Sequence, residues 1–184
     1  MNDTGNTNMK LQRVSFRLNG AQVSLEVLPD ERLVDTLRWR LGVFSVKLGC
    51  GKGECGTCIV IVNGKPKHSC LTLTASLDGS EVTTLEGIAS DAHLHAIQLA
   101  YVESKGIQCG FCVPGFIMTT KAMIELESEI NFEVIREWLA SVLCRCGSYL
   151  HYIKASQRAL NLIKEGIIEV SEKKIMETIE ERNK

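Results

Sequence analysis

The most informative segment of the chain is GCGKGECGTC at residues 49–58. It places Cys50, Cys55 and Cys58 at the spacing C-x4-C-x2-C, which is typical of the loop around a plant-type [2Fe-2S] cluster. Cys70 follows Cys58 after eleven residues and is predicted as the fourth ligand. The interleaved Gly51, Gly53 and Gly56 suit such a loop, because glycine adopts positive φ readily and lets backbone N–H groups point at an anionic centre.

Zinc is the main alternative for this loop. Structural zinc sites usually use two close cysteine pairs separated by a longer segment, whereas this loop supplies three cysteines within nine residues. A Rieske-type cluster needs histidine ligands, and only His68, two residues before Cys70, lies nearby. The spacing therefore favours a cluster held by four cysteines.

Four further cysteines form a second set, Cys109-x2-Cys112 and Cys144-x-Cys146. Taken alone, this set fits a structural zinc site as well as an iron-sulfur cluster. With these four, all eight cysteines of the chain fall into two sets of four.

The segment around the first set predicts strands. Alternating apolar residues over 14–27 surround Asn19-Gly20 and predict a hairpin, and residues 59–70 surround Asn63-Gly64 and predict a second one. A short helix is predicted over 32–41 and a last strand over 81–85. We expect a mixed sheet crossed by one helix, as in the β-grasp fold.

Helical periodicity begins near residue 86. Helices are predicted over 95–101, 115–127, 132–143 and 150–163, which would form a small bundle with the second cysteine set in its turns. Trp39 and Trp138 lie within helical patterns and are predicted to pack inside. His93 and His95 are expected to cap or to lie on the surface. The charged tail over 172–184 is predicted to be a solvated helix or a frayed end.

Composition narrows the class of protein. The 184 residues carry 21 basic and 22 acidic side chains, interspersed and with a net charge of −1, so neither nucleic acid nor a membrane surface is indicated as a partner. No apolar stretch approaches the length of a membrane span. The polar start over 1–10 lacks the features of a secretory signal and predicts a cytoplasmic protein. Clustered cysteines in that reducing compartment usually bind metal.

The chain resembles the small iron-sulfur subunits of the xanthine dehydrogenase and carbon monoxide dehydrogenase class of molybdenum hydroxylases. The matching stretches are GCGKGECGTC at 49–58, SCL at 69–71, GIQCGFCVPG at 106–115 and LCRC at 143–146. They occur in the family's order and spacing over about residues 11 to 165 and include all eight cysteines.

The resemblance implies an α+β chain with a β-grasp plant-type ferredoxin domain over 11–86, followed by an all-α four-helix-bundle [2Fe-2S] domain over 87–165. Outside it, the segment 1–10 is expected to be disordered and the segment 166–184 to be a charged tail. It implies one [2Fe-2S] cluster in each domain, with the helical cluster nearer the molybdopterin of a large catalytic subunit. It also implies that Gln108 hydrogen-bonds the pterin, and that electrons usually pass on to a FAD subunit.

Two departures from the family pattern concern the second cysteine set. Ser141-Val142 replaces a usual Gly-Asn before it, and Gly147-Ser148 replaces a common Thr-Gly after it. The latter is similar to members with two subunits and no flavin subunit, so the electron acceptor stays open.

The chain is thus expected to be the non-catalytic electron-transfer subunit of an oxidoreductase. No phosphate-binding loop, dinucleotide motif or paired nucleophile and base is found in the sequence. The alternatives are a free-standing ferredoxin-like carrier and a zinc-stabilised interaction module. The substrate is not predicted, because it would be selected on another polypeptide.

Overall fold

The computed structural model describes residues 10–89 and 93–171, together with Lys173 and Ile175. The expectations for the N-terminal segment 1–10 and for the end of the charged tail fall largely outside these residues. None of the helices that can be described is long and apolar enough to cross a membrane.

A five-stranded mixed sheet forms the first half of the chain. Its strands are β1 (Gln12–Leu18), β2 (Ala21–Val27), β3 (Ile59–Val62), β4 (Lys65–His68) and β5 (Glu81–Thr83), in the order β2-β1-β5-β3-β4. Both predicted hairpins are confirmed, and Asn19 and Asn63 adopt the positive φ that their turns require. β5 pairs parallel with β1 and antiparallel with β3, which makes the sheet mixed.

One irregular helix crosses this sheet. Its first part is α1 (Leu33–Asp35), and a π-helical turn continues it over Thr36–Arg40. Leu33, Val34 and Leu37 are fully buried and pack with the sheet residues in one core, here named the sheet core. The prediction that Trp39 packs inside is wrong. Trp39 is 70% exposed, and the Arg38 guanidinium lies 5.1 Å from the centre of its ring.

Four helices make up most of the second half. They are α2 (Ala96–Glu103), α3 (Val113–Leu126), α4 (Phe132–Leu139) and α5 (Tyr149–Lys164). α3 begins with Pro114 in its first turn, where a missing N–H costs nothing. α4 is shorter than the predicted 132–143 and begins at the cap of Asn131, whose Oδ1 accepts a 3.0 Å hydrogen bond from the Val134 N–H.

A two-stranded ribbon was not predicted from the sequence. It pairs β6 (His93–His95) with β7 (Glu169–Ser171) in antiparallel register. His95 ends β6 and caps α2, because its Nδ1 accepts a 3.2 Å hydrogen bond from the Ile97 N–H. The predicted capping role is therefore confirmed for His95.

Strand β3 belongs to the cores of both halves. Val60 and Val62 pack into the sheet core, whereas Ile59 and Ile61 pack among the helices in a second core, here named the helical core. All four residues are buried. A strand buried on both faces fixes the two halves against each other, because separating them would expose one whole face of β3. Trp138, partly buried, packs against the helical core as predicted.

Candidate metal centres

In the first cysteine loop, backbone N–H groups point toward the sulfur atoms of the cysteines. The N–H groups of Lys52, Glu54 and Cys55 donate to Cys50 Sγ at 3.3, 3.4 and 3.4 Å. The Cys50 N–H in turn donates to Cys55 Sγ at 3.4 Å. Such a ring of N–H donors stabilises negative charge on the sulfurs, which is what thiolate ligands of an iron-sulfur cluster require.

Glycine is required at several points of this loop. Gly51, Gly53 and Gly56 have φ of 66°, 79° and 67°, as the sequence predicted. Gly49 is needed for space, because a Cβ there would lie 2.9 Å from Cys55 Sγ and 2.9 Å from Thr57 Oγ1. The backbone therefore approaches the thiols more closely than any other residue would allow.

Two thiols of the first set, Cys50 and Cys58, have opposite pKa shifts. Hydrogen bonds from the backbone of Lys52 and Cys55 lower the pKa of Cys50 to about 6. Burial raises the pKa of Cys58 to about 11; the Cys70 thiol adds to that rise, and a hydrogen bond from the Cys70 backbone opposes it. Cys50 is thus ready to act as a thiolate, whereas Cys58 lies in the sheet core and would need a bound metal to hold its charge.

The second set lies where α3 and α5 begin. Cys112 and Cys144 are buried, whereas Cys109 and Cys146 are exposed. Burial raises the pKa of Cys112 to about 12, with a further rise from its contact with Cys144. Burial also acts against ionisation of Cys144, but backbone N–H groups of Ser148 and its neighbours outweigh it, so the pKa of Cys144 is lowered.

Six of the eight thiols meet as pairs, and this pairing tests whether the residues fit a cluster. Side-chain contacts join Cys50 to Cys55, Cys58 to Cys70 and Cys112 to Cys144. Within the described part of the chain, no three His, Cys, Asp or Glu side chains are placed to hold a single metal ion. Mononuclear zinc needs four ligands around one ion, whereas each iron of a [2Fe-2S] cluster takes two. The paired thiols fit the binuclear cluster better.

Hydrogen bonds of Gln108 connect the two parts of the second cysteine set. Its Nε2 donates to the Cys146 carbonyl at 3.3 Å and to Ser148 Oγ at 3.1 Å. These bonds hold the turn that carries Cys109 beside the turn that carries Cys146. Gln108 is also exposed, so a partner could still reach it.

A backbone hydrogen bond joins the segments that carry the two cysteine sets. The Leu143 N–H donates a 3.0 Å hydrogen bond to the Cys55 carbonyl, and Leu143 immediately precedes Cys144. Close packing surrounds this bond, because a Cβ on Gly115 would lie 2.6 Å from the Gly56 carbonyl oxygen. No pattern in the sequence indicated this contact.

Two tyrosines beside the second set were also missed. The Cys144 N–H donates to Tyr149 Oη at 2.8 Å. The Tyr152 hydroxyl forms a side-chain hydrogen bond with the Cys112 thiol, and its ring lies 4.6 Å from that of Phe116. Their positions three and six residues after Cys146 place them on the first two turns of α5, which is a signal that the sequence contains.

Each half of the chain matches a family of [2Fe-2S]-binding domains. Residues 16–84 match the 2Fe-2S iron-sulfur cluster binding domain, and residues 84–157 match the [2Fe-2S] binding domain. Each cysteine set lies inside one of these two segments.

Relatives are similar over most of their length. The chain is 40% identical over 137 residues to the nicotinate dehydrogenase small FeS subunit of Eubacterium barkeri, covering 74% of this chain and 87% of that one. It is 45% identical over 138 residues to the xanthine dehydrogenase iron-sulfur-binding subunit of Escherichia coli O157:H7, covering 74% and 86%. It superimposes on one chain of quinoline 2-oxidoreductase from Pseudomonas putida 86 with a TM-score of 0.80 and 31% identity. The superposition covers 86% of this chain and 99% of that one.

Proposed function

The chain belongs to the small iron-sulfur subunits of the molybdenum hydroxylases, and on that basis we propose that its eight cysteines hold two [2Fe-2S] clusters in series. It is an electron-transfer component of an oxidoreductase and carries two such clusters. We assign one cluster to Cys50, Cys55, Cys58 and Cys70. The other is assigned to the remaining four cysteines, Cys109, Cys112, Cys144 and Cys146.

The hydrogen bond from Leu143 to Cys55 is the observation that carries the serial arrangement. It connects a ligand of one cluster to the residue before a ligand of the other. Each cluster, when bound, accepts and releases one electron at a time. The chain's own contribution is to hold the two ligand sets in contact, to surround the sulfurs with N–H donors, and to keep Cys58, Cys70, Cys112 and Cys144 away from water.

The exposed side of the second set is the proposed contact with a large molybdopterin subunit. Cys109 and Cys146 are exposed there, and Ile107, Leu143 and Leu150 are apolar side chains that are 41%, 55% and 70% exposed. Exposed apolar side chains beside a redox centre suit a protein interface. Gln108, on the same turn as Cys109, is proposed to contact the pterin.

Electrons are proposed to leave from the first set toward a FAD subunit or another acceptor. We place the domains at 11–86 and 87–165, and the protein in the cytoplasm. A free-standing carrier is not favoured, because the relatives are named as subunits.

The test removes one ligand from each set in the assembled complex. We expect Cys112→Ser to leave the first cluster oxidised when substrate is added, whereas dithionite still reduces it from solvent. Cys58→Ser should instead leave substrate reduction of the helical cluster intact. Electron paramagnetic resonance distinguishes the two clusters. Substrate reduction of the first cluster in Cys112→Ser at the parental rate would contradict the proposed order.

A further inference from the structure

A pocket of about 300 Å³ opens between strand β4 and helices α3 and α4. We name it the seam pocket and define it by Ile59, Pro66, His68, Thr119, Glu137 and Trp138. The first three residues come from the sheet and the last three from the helices. The pocket therefore exists only because the two halves pack together, and it is separate from both cysteine sets.

The hydroxyl of Thr119 is the unusual feature of this pocket. Thr119 is 2% exposed, and its Oγ1 has no hydrogen-bond partner among the described residues. The next residue behaves differently, since Thr120 Oγ1 lies 2.9 Å from Tyr101 Oη and 2.9 Å from Ser156 Oγ. Buried hydroxyl groups are normally satisfied, so an unpartnered one that lines a pocket marks a place for a polar atom of a ligand.

The apolar part of the remaining wall suits a flat ring, and Lys67, Glu137 and Ser141 complete the lining. Ile59 and Pro66 are apolar, and the indole of Trp138 is fixed by a 2.9 Å hydrogen bond from Nε1 to Glu127 Oε1. The imidazole of His68, which is partly buried, supplies a second hydrogen-bonding group. An aromatic molecule with polar atoms at two positions would match these walls, because ring faces pack on Trp and Pro while the polar atoms meet hydroxyl and imidazole.

Two residues of the pocket are also close in sequence to cysteines of the first set. Ile59 is covalently bonded to Cys58, and His68 is two residues before Cys70. Electron transfer between groups weakens steeply with distance. A redox-active ring in the seam pocket would therefore be well placed to take electrons from the cluster that we assign to Cys58 and Cys70.

We propose that the seam pocket binds a small quinone, with one carbonyl hydrogen-bonded to Thr119 Oγ1 and the ring against Trp138. This inference rests on the proposed function, since it names a class of acceptor for the same electrons. Two electrons arrive singly from the reduced cluster and two protons come from solvent, so the quinone's two C=O groups become C–OH. The cluster is reoxidised in each transfer. By this route electrons leave the chain without a flavin subunit.

The test uses duroquinone, whose fully substituted ring cannot add thiols. The full chain with reconstituted clusters is reduced anaerobically, and its reoxidation is followed by visible absorbance in a stopped-flow instrument. We expect the rate to saturate with duroquinone concentration. Thr119→Val, which keeps shape but removes the hydroxyl, should raise the half-saturating concentration about fivefold, the typical effect of one lost hydrogen bond. His68→Phe should raise it as well.

Two controls separate the pocket from the clusters. Trp138→Ala should abolish saturation, whereas Trp39→Ala, which removes the exposed tryptophan outside the pocket, should not change it. Ferricyanide, which oxidises from solvent, should act equally on all variants. A linear rate in the parent chain overturns the inference while leaving the proposed function intact. So does a half-saturating concentration in Thr119→Val and His68→Phe that equals the parental value. Failure to form clusters would instead overturn the proposed function.

Discussion

The backbone N–H of Leu143 lies 3.0 Å from the carbonyl oxygen of Cys55 and donates to it. This bond joins the loop of the first cysteine set to the turn of the second. It depends on Gly56 and Gly115, which are close together in space. At these two residues the backbones of the two halves nearly touch. The contact between the halves is therefore sensitive to the addition of a single methyl group.

Gly56→Ala is expected to separate the two cysteine sets. A Cβ at residue 56 would collide with the Ser141 carbonyl and lie 2.9 Å from Val142 Cα, in backbone that cannot easily move. We expect a loss of about 1–3 kcal/mol in the free energy of unfolding from overpacking, added to the strain of a positive φ. The magnetic interaction between the two reduced clusters should also weaken, as measured by electron paramagnetic resonance.

Gly64→Ala is the matched control. Gly64 has a similar φ of 76°, but nothing lies within 4 Å of an added Cβ. It should show the backbone strain alone, with the magnetic interaction unchanged. Equal losses in both variants would mean that contact between the halves does not depend on space at Gly56.

Gly115→Ala tests the same contact from the helix side. Alanine favours a helix interior by about 1 kcal/mol over glycine, so an unhindered site would be stabilised. Here the new Cβ would lie 2.6 Å from the Gly56 carbonyl oxygen and 3.1 Å from Thr57 Cα. Overpacking costs about 1–3 kcal/mol and should outweigh the helical gain. Urea unfolding should therefore show net destabilisation, and a stabilised variant would refute the close packing.

Tyr152→Phe should lower the reduction potential of the helical cluster. The hydroxyl of Tyr152 hydrogen-bonds to Cys112, and a bond to a ligand sulfur favours the reduced, more negative state. A loss of about 0.5–1.5 kcal/mol corresponds to roughly 20–60 mV for one electron. A redox titration followed by electron paramagnetic resonance measures the shift.

Tyr101→Phe provides the comparison. Tyr101 stacks on Tyr152 with ring centres 5.4 Å apart, but its hydroxyl bonds to Thr120 and Ser156. This variant should lose stability without moving the potential. If both variants shift the potential equally, packing around the cluster and not the hydrogen bond to sulfur sets it.

The capping of α2 by His95 predicts a dependence of stability on pH. Burial lowers the pKa of His95 below its ordinary value of 6.5, and the positive charge of Lys121 lowers it further, against the opposing effects of Glu169 and Glu125. The folded state therefore binds the proton less readily than the unfolded state. This contribution to stability is fully present above pH 6.5 and decreases as the pH falls toward the lower folded pKa.

Protonation of Nδ1 would also remove the acceptor for the Ile97 N–H, and loss of a cap costs about 0.5–2 kcal/mol. Urea midpoints measured between about pH 7.5 and about pH 5 should fall for the parent chain. His95→Asn keeps a capping oxygen that does not titrate, so its midpoint should fall less over this range. Parallel curves for the two proteins would assign the pH dependence to other groups.

Much of the fold could be predicted because its signals are local. Asn-Gly turns between alternating strands determined both hairpins, and apolar spacing located the four helices. The cysteine spacing in residues 49–58 also required the glycines that the structure places at positive φ. Local geometry alone fixes these features, since each depends on residues within one turn or one hairpin.

Other features depended on contacts between distant residues. Trp39 lies in a helical pattern, yet the π-helical turn leaves it exposed beside Arg38. The ribbon of β6 and β7 joins segments more than seventy residues apart. Neither feature has a local signal, because each depends on what the rest of the chain places next to it.

The division of eight cysteines into two sets of four follows from the sequence alone, since thiol spacing within a loop is a short-range property. Which thiols meet as pairs, and that Leu143 bonds to Cys55, depended on tertiary packing. The same packing created the seam pocket around Thr119. These features arise where the two faces of β3 are buried in different cores, and burial of apolar surface is a property of the folded chain as a whole.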